Sequence, residues 1–157
     1  MRFYILFIAS ISIFFIIPAI CVSQNITIDN NLTFGTVIPG IPKIIDKTNA
    51  GSASEFQVSG VAGNEITIDF SLPTYMNSGS NNIQLVFSET DCSIDTSAVP
   101  DQSSPIFDDL DPWHTLTYRL GANGMTIWLG GMAIPGLVQP AGSYSGVIVL
   151  TVAYTGS

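Results

Sequence analysis

Six aspartates, Asp91, Asp95, Asp101, Asp108, Asp109 and Asp111, crowd one segment of the chain. Calcium takes several oxygen ligands, and clustered carboxylates can supply them. Cation binding is therefore the first chemistry this segment could offer, with Asp108, Asp109 and Asp111 as the candidate ligands. The D-x-[DN]-x-[DN]-G order of a dedicated calcium loop is missing, so a solvated acidic loop is the favoured reading and no cofactor is expected. His114 is the sole histidine, and no strand–turn–helix nucleophile elbow accompanies it. It reads as a loop or capping residue. Cys92 lies between Asp91 and Asp95, whose charges raise a thiol pKa rather than activate it. Trp113 and Trp128 could offer stacking faces to a saccharide, although Trp128, beside Ile127 and Leu129, fits sheet packing better. None of these groups assembles a catalytic constellation, and the expectation is a protein that is not an enzyme.

The N-terminus points to a compartment. Arg2 precedes an almost wholly apolar run from Phe3 to Ile17, then Pro18 and the small residues Ala19, Cys21 and Ser23. That order is the pattern of a secretory signal peptide. Residues 1–23 are read as the signal, leaving 24–157 as one mature domain, secreted or held at the cell surface with no membrane span. A retained anchor is the rival, but the run is short of the ~20 residues a spanning helix needs. The mature chain keeps Lys43, Lys47 and Arg119 against twelve carboxylates, so its formal charge is −9. Such a chain has no basic patch for nucleic acid or anionic membrane. Only Cys92 remains after cleavage, so no internal disulfide framework is available.

The elements that would position these residues are short alternating runs between Gly, Pro, Asn and Ser clusters, the sign of a sandwich or barrel. Ile26 and Ile28 alternate with Thr27 and Asp29. Leu32, Phe34 and Val37 follow, with Gly35 as a bulge or close-approach position. Further strands are read at 53–58, 66–72, 83–87, 116–120 and 125–129, with 75–82 and 88–113 as loops. Asn123-Gly124 is a tight-turn signal, which predicts a hairpin joining 116–120 to 125–129. Residues 132–137 pair briefly. The closing strand runs from Tyr144 to Tyr154. Its face of Tyr144, Ile148, Leu150, Val152 and Tyr154 is apolar, and the opposite face is mixed. The sum is an all-β domain: an antiparallel sandwich of seven to nine strands.

Several stretches together resemble a bacterial secreted family, domain of unknown function 4402. They are Leu32-Thr33-Phe34-Gly35-Thr36-Val37, Phe56-Gln57-Val58-Ser59-Gly60, Leu129-Gly130-Gly131, and Gln139 to Gly146 leading into Thr151-Val152-Ala153-Tyr154. The ending is also similar to spore coat protein U domains and archaic chaperone–usher pilins. The resemblance implies an immunoglobulin-like, pilin-like sandwich with a structural or adhesive role in a fimbria or at the surface, and it carries over no catalytic residue. The cysteines that staple spore coat U-type domains are missing here. Pilin-like assembly would proceed by strand addition, with Gln24 to Asn30 as the donated segment, Ile26 and Ile28 as its groove-filling residues, and a periplasmic chaperone as a partner. A monomeric carbohydrate- or calcium-binding sandwich is the alternative.

Overall fold

The structure, a computed structural model, describes residues 24–156; the expected signal peptide at 1–23 lies outside them. Among the described residues there is no helix, and twelve strands form. They are β1 (Asn25–Asn30), β2 (Lys43–Ile45), β3 (Ser54–Ser59), β4 (Glu65–Ser71), β5 (Tyr75–Ser78), β6 (Asn81–Val86), β7 (Cys92–Asp95), β8 (Phe107–Leu110), β9 (Leu116–Arg119), β10 (Met125–Leu129), β11 (Gly131–Ile134) and β12 (Val149–Tyr154). Every pairing is antiparallel. Three sheets result, in the orders β1-β3-β10-β7-β8, β2-β11-β6-β5 and β12-β4-β9.

Alternation decides which residues fill the core. Phe56 and Val58 of β3, Ile66 and Ile68 of β4, Ile94 of β7, and Met125, Ile127 and Leu129 of β10 are all buried in one cluster. Each such side chain contributes roughly 1.5–3 kcal/mol when withdrawn from water. Phe56 meets Phe70 edge to face with centroids 6.1 Å apart, and Phe107 meets Tyr118 at 4.5 Å. These contacts pack the five-stranded sheet against the three-stranded one, as in a sandwich.

The four-stranded sheet forms where long strands bend from one layer to another. β10 passes into β11 at Gly130, where a Cβ would lie 2.5 Å from the Ile45 carbonyl oxygen. β4 passes into β5 across Pro73, which lacks the N–H a ladder needs. The chain's last segment follows that corner on its partner side. Ser145 exchanges both backbone hydrogen bonds with Asn77 of β5, and β12 then pairs with β4 from Val149↔Ser71 to Tyr154↔Ile66. Gly146 sits at the bend, where a Cβ would be 3.1 Å from the Tyr75 carbonyl oxygen and 3.4 Å from the Pro73 ring. The predicted closing strand is thus shorter than Tyr144–Tyr154, but its alternation holds: Ile148, Leu150, Val152 and Tyr154 are half-buried, while Val147, Val149, Thr151 and Ala153 are exposed.

Three expectations change. Twelve strands replace seven to nine, because β5, β7 and β8 lie in segments read as loops and β2 in a stretch where no strand was read; each is three or four residues long, too short for a period to show. Residues 32–37 form no strand. The hairpin across Asn123-Gly124 is absent: β9 pairs with β4 in one sheet, and β10 with β3 and β7 in another. The turn itself is tight, with Gly121 and Gly124 exchanging backbone hydrogen bonds of 3.0 and 3.1 Å. Turn chemistry fixes the reversal of the chain, not whether the flanking strands share a sheet.

Candidate functional site

The aspartates of the acidic segment cap their own turns. Asp95 accepts hydrogen bonds from the Ser97 and Asp101 amides, 2.7 and 3.1 Å. Asp101 accepts from the amide and hydroxyl of Ser103, Asp91 from the Ser88 amide, and Asp111 from the Trp113 amide, 2.8 Å. Asp46, upstream, does the same for Thr48. An Asx side chain that bonds the backbone two residues on is a local turn device. Asp95 is buried, and burial by itself raises its pKa, yet the amides of Ser97 and Asp101 outweigh this and hold it below 3.8. Among the described residues no group of three or more His, Cys, Asp or Glu is placed to hold a metal ion.

Asp108 and Asp109 instead meet a buried lysine. Lys47 Nζ lies 2.9 Å from Asp108 Oδ1 and 2.5 Å from Asp109 Oδ1, and donates to the Thr90 carbonyl at 2.6 Å. The lysine side chain is only 8 % exposed. Its burial disfavours the charged form, but the hydrogen bonds it donates to both carboxylates overcome this and raise its pKa above 10.5. Asp108 is correspondingly lowered, chiefly by its hydrogen bond from Lys47. Among the described non-glycine residues Asp109 alone adopts a left-handed backbone, φ 52°, where the β7–β8 register shifts. Asp111 stands apart from this pair and hydrogen-bonds His114 Nδ1 at 2.6 Å.

Of the other candidate groups, Cys92 and Trp128 are placed for packing, while His114 and Trp113 are exposed. Cys92 is fully buried, and burial pushes its thiol up to about 12. Trp113 donates from Nε1 to the Phe87 carbonyl, 2.9 Å, and leans edge-on against the Phe87 ring. Trp128 is 2 % exposed and offers no stacking face. It points out of the five-stranded sheet, away from Ile127 and Leu129. Segment 96–106 is fastened by Asn123 Nδ2, which donates to the Ala98 carbonyl, and by Gln102 Nε2, which donates to the Lys47 carbonyl.

The predicted assembly residues sit on the edge of that same sheet. β1 pairs with β3 alone, in the register Ile26↔Val58 and Ile28↔Phe56. Registered neighbours share a face, so Ile26 and Ile28 point to the core side with Val58 and Phe56. Ile26 packs against the core cluster. Ile28 remains 61 % exposed. A bulge follows between Ile28 and Asn30, and Asn30 Nδ2 anchors the strand's end on the Ala53 carbonyl at 2.6 Å.

A cleft of about 650 Å³ lies beyond β1, and no sequence motif pointed to it. Its walls are residues 32–37 and 139–144, with Met76 and Ile83 beneath. Both stretches figured among the residues of the resemblance, which did not place them side by side. Gln139 braces one lip, accepting from the Gly136 amide and donating to Tyr144 Oη. Lys43 braces the other through the Thr36 carbonyl, 3.2 Å. Among the described residues the lining holds no charged side chain, Lys43 standing at the lip, which suits the cleft to an uncharged guest. No protein-family model matches this chain, and no curated protein matches it.

Proposed function

We propose that the chain is a secreted or cell-surface structural and adhesive protein, a pilin-like subunit without catalytic activity, built on an immunoglobulin-like sandwich. The observation that carries this reading is Ile28: a core-facing isoleucine on an N-terminal edge strand, left largely uncovered. An exposed apolar edge strand invites pairing with another chain. Subunits would join by strand addition, the Gln24–Asn30 segment of one copy taking the place of β1 beside β3 of the next. A periplasmic chaperone would occupy that edge beforehand. The test is deletion of residues 24–30. The reading expects loss of higher oligomers and recovery of the melting temperature when a peptide of that sequence is added. Unchanged assembly and melting would rule it out.

The cleft favours a second reading, a monomeric carbohydrate-binding module. Thr33, Thr36, Gln139 and Ser143 offer uncharged hydrogen-bonding groups beside the Tyr144 ring. Glycan-array binding that is lost in Gln139→Ala, with the protein monomeric throughout, would support this reading over the first.

A further inference from the structure

We propose that the outward face of the β2-β11-β6-β5 sheet is a self-association surface, taken by the same face of a second copy. The inference does not rest on strand addition, which uses the opposite edge of the fold. The registers place Ile44, Met132 and Val86 in one row across the sheet, and Ile134, Gln84 and Tyr75 in the next. The rows between them point inward, as buried Ala133 and Leu85 show. Neither outward row holds a charged residue, on a chain whose formal net charge is −8. The loop after β11 extends the patch. Leu137 and Val138 are 87 % and 93 % exposed, and Ile44 is 68 % exposed. The turn through Ile38 and Ile41, both exposed, lies against this loop: Gly40 donates to the Gly136 carbonyl at 3.0 Å.

Two features select a second copy as the occupant. The first is area. Together the exposed parts of these side chains reach on the order of the ~800 Å² that each partner of a standard interface buries, beyond what a monomer ordinarily leaves as a contiguous apolar patch. The second is self-complementarity. The face carries an exposed knob, Leu137, and beside it a shallow cleft of about 460 Å³ with an apolar wall of Tyr75, Ile134 and Val138 and a polar one of Ser80 to Asn82 with Gln84. A two-fold axis puts the knob of each copy into the cleft of the other, the reciprocal arrangement an isologous interface requires. The outward rows then meet as sheet on sheet, about 10 Å apart.

The experiment is sedimentation equilibrium on protein purified from expression of the full sequence, against the double variant Ile44→Asp/Leu137→Asp. Both side chains are exposed, so the variant is expected to melt with the parent, which circular dichroism checks. The parent should dimerise reversibly, and the variant's dissociation constant should be at least ~100-fold weaker, since each substitution appears twice across the axis. A parent that stays monomeric into the high micromolar range overturns the proposal. So does a dimer that the substitutions leave intact, or a parent that partitions onto neutral lipid vesicles instead of dimerising. Oligomers that survive the double variant but vanish on deletion of residues 24–30 would assign assembly to the edge strand alone.

Discussion

Lys47 is where a single residue's chemistry is most exposed to test. Its ammonium is buried, and its countercharges, Asp108 and Asp109, are half-exposed or more. Removing both carboxylates strands a buried cation. That penalty is 3–5 kcal/mol for fully buried pairs, and solvent around the aspartates reduces it. Asp108→Asn/Asp109→Asn is therefore expected to lose about 2 kcal/mol in urea unfolding. The pH dependence follows from the two shifts. Asp108 is lowered, so its contribution is present above 3.8 and fades as pH falls through the folded value. Lys47 is raised, so its contribution is present below 10.5 and is lost as pH rises through the folded value. The gap between parent and variant should hold from roughly pH 5 to pH 9 and close on the acid side. A pH-independent gap would mean the pair acts through packing. Cys92 gives a second expectation. Its buried thiol, with its pKa pushed up to about 12, should resist a thiol-directed disulfide reagent at pH 8 in the native state and react fully in denaturant. Rapid native labelling would show that β7 opens.

At the scale of the element, the bends matter more than the strands. Gly130 joins β10 to β11 where no Cβ fits, 2.5 Å from the Ile45 carbonyl oxygen and 2.7 Å from the Lys47 nitrogen. Gly51 has φ +79° and open space around it. Gly51→Ala should lose about 1 kcal/mol from backbone strain alone, whereas Gly130→Ala must displace backbone and should lose about 3 kcal/mol or fail to fold. Equal effects in thermal melts would refute the layer switch at Gly130. The comparison also shows what a sequence can disclose. The alternation of Ile66-Thr67-Ile68 and of Leu150-Thr151-Val152 places those strands and their buried faces, because the period of 2 is local. Partnership is not local. Nothing in Asn123-Gly124 says that β9 and β10 go to different sheets, or that Gly130 marks a change of layer. The acidic segment was legible in part: Asp46-Lys47-Thr48, Asp95-Thr96-Ser97 and Asp101-Gln102-Ser103 share the spacing of an Asx turn. The pairing of Asp108 and Asp109 with Lys47, some sixty residues earlier, was not, since only the fold brings them together.

For the whole molecule, the proposed assembly turns on β1 being given by one copy to the next. Ile28, core-facing yet largely exposed on an edge strand, is the physical ground for sharing. The outward face of the β2-β11-β6-β5 sheet would add a two-fold contact to the same particle, and the two contacts can fail independently. Strand sharing is tested most directly by a cysteine pair at a registered position, Thr27→Cys/Gln57→Cys, in a Cys92→Ser background. The protein is oxidised across a range of concentrations and resolved on a denaturing gel without reductant. A strand given to the next copy predicts a covalent ladder of dimers, trimers and longer chains that grows with concentration and collapses on reduction. A single monomer band at every concentration, fully cross-linked within the chain, would contradict the pilin-like account.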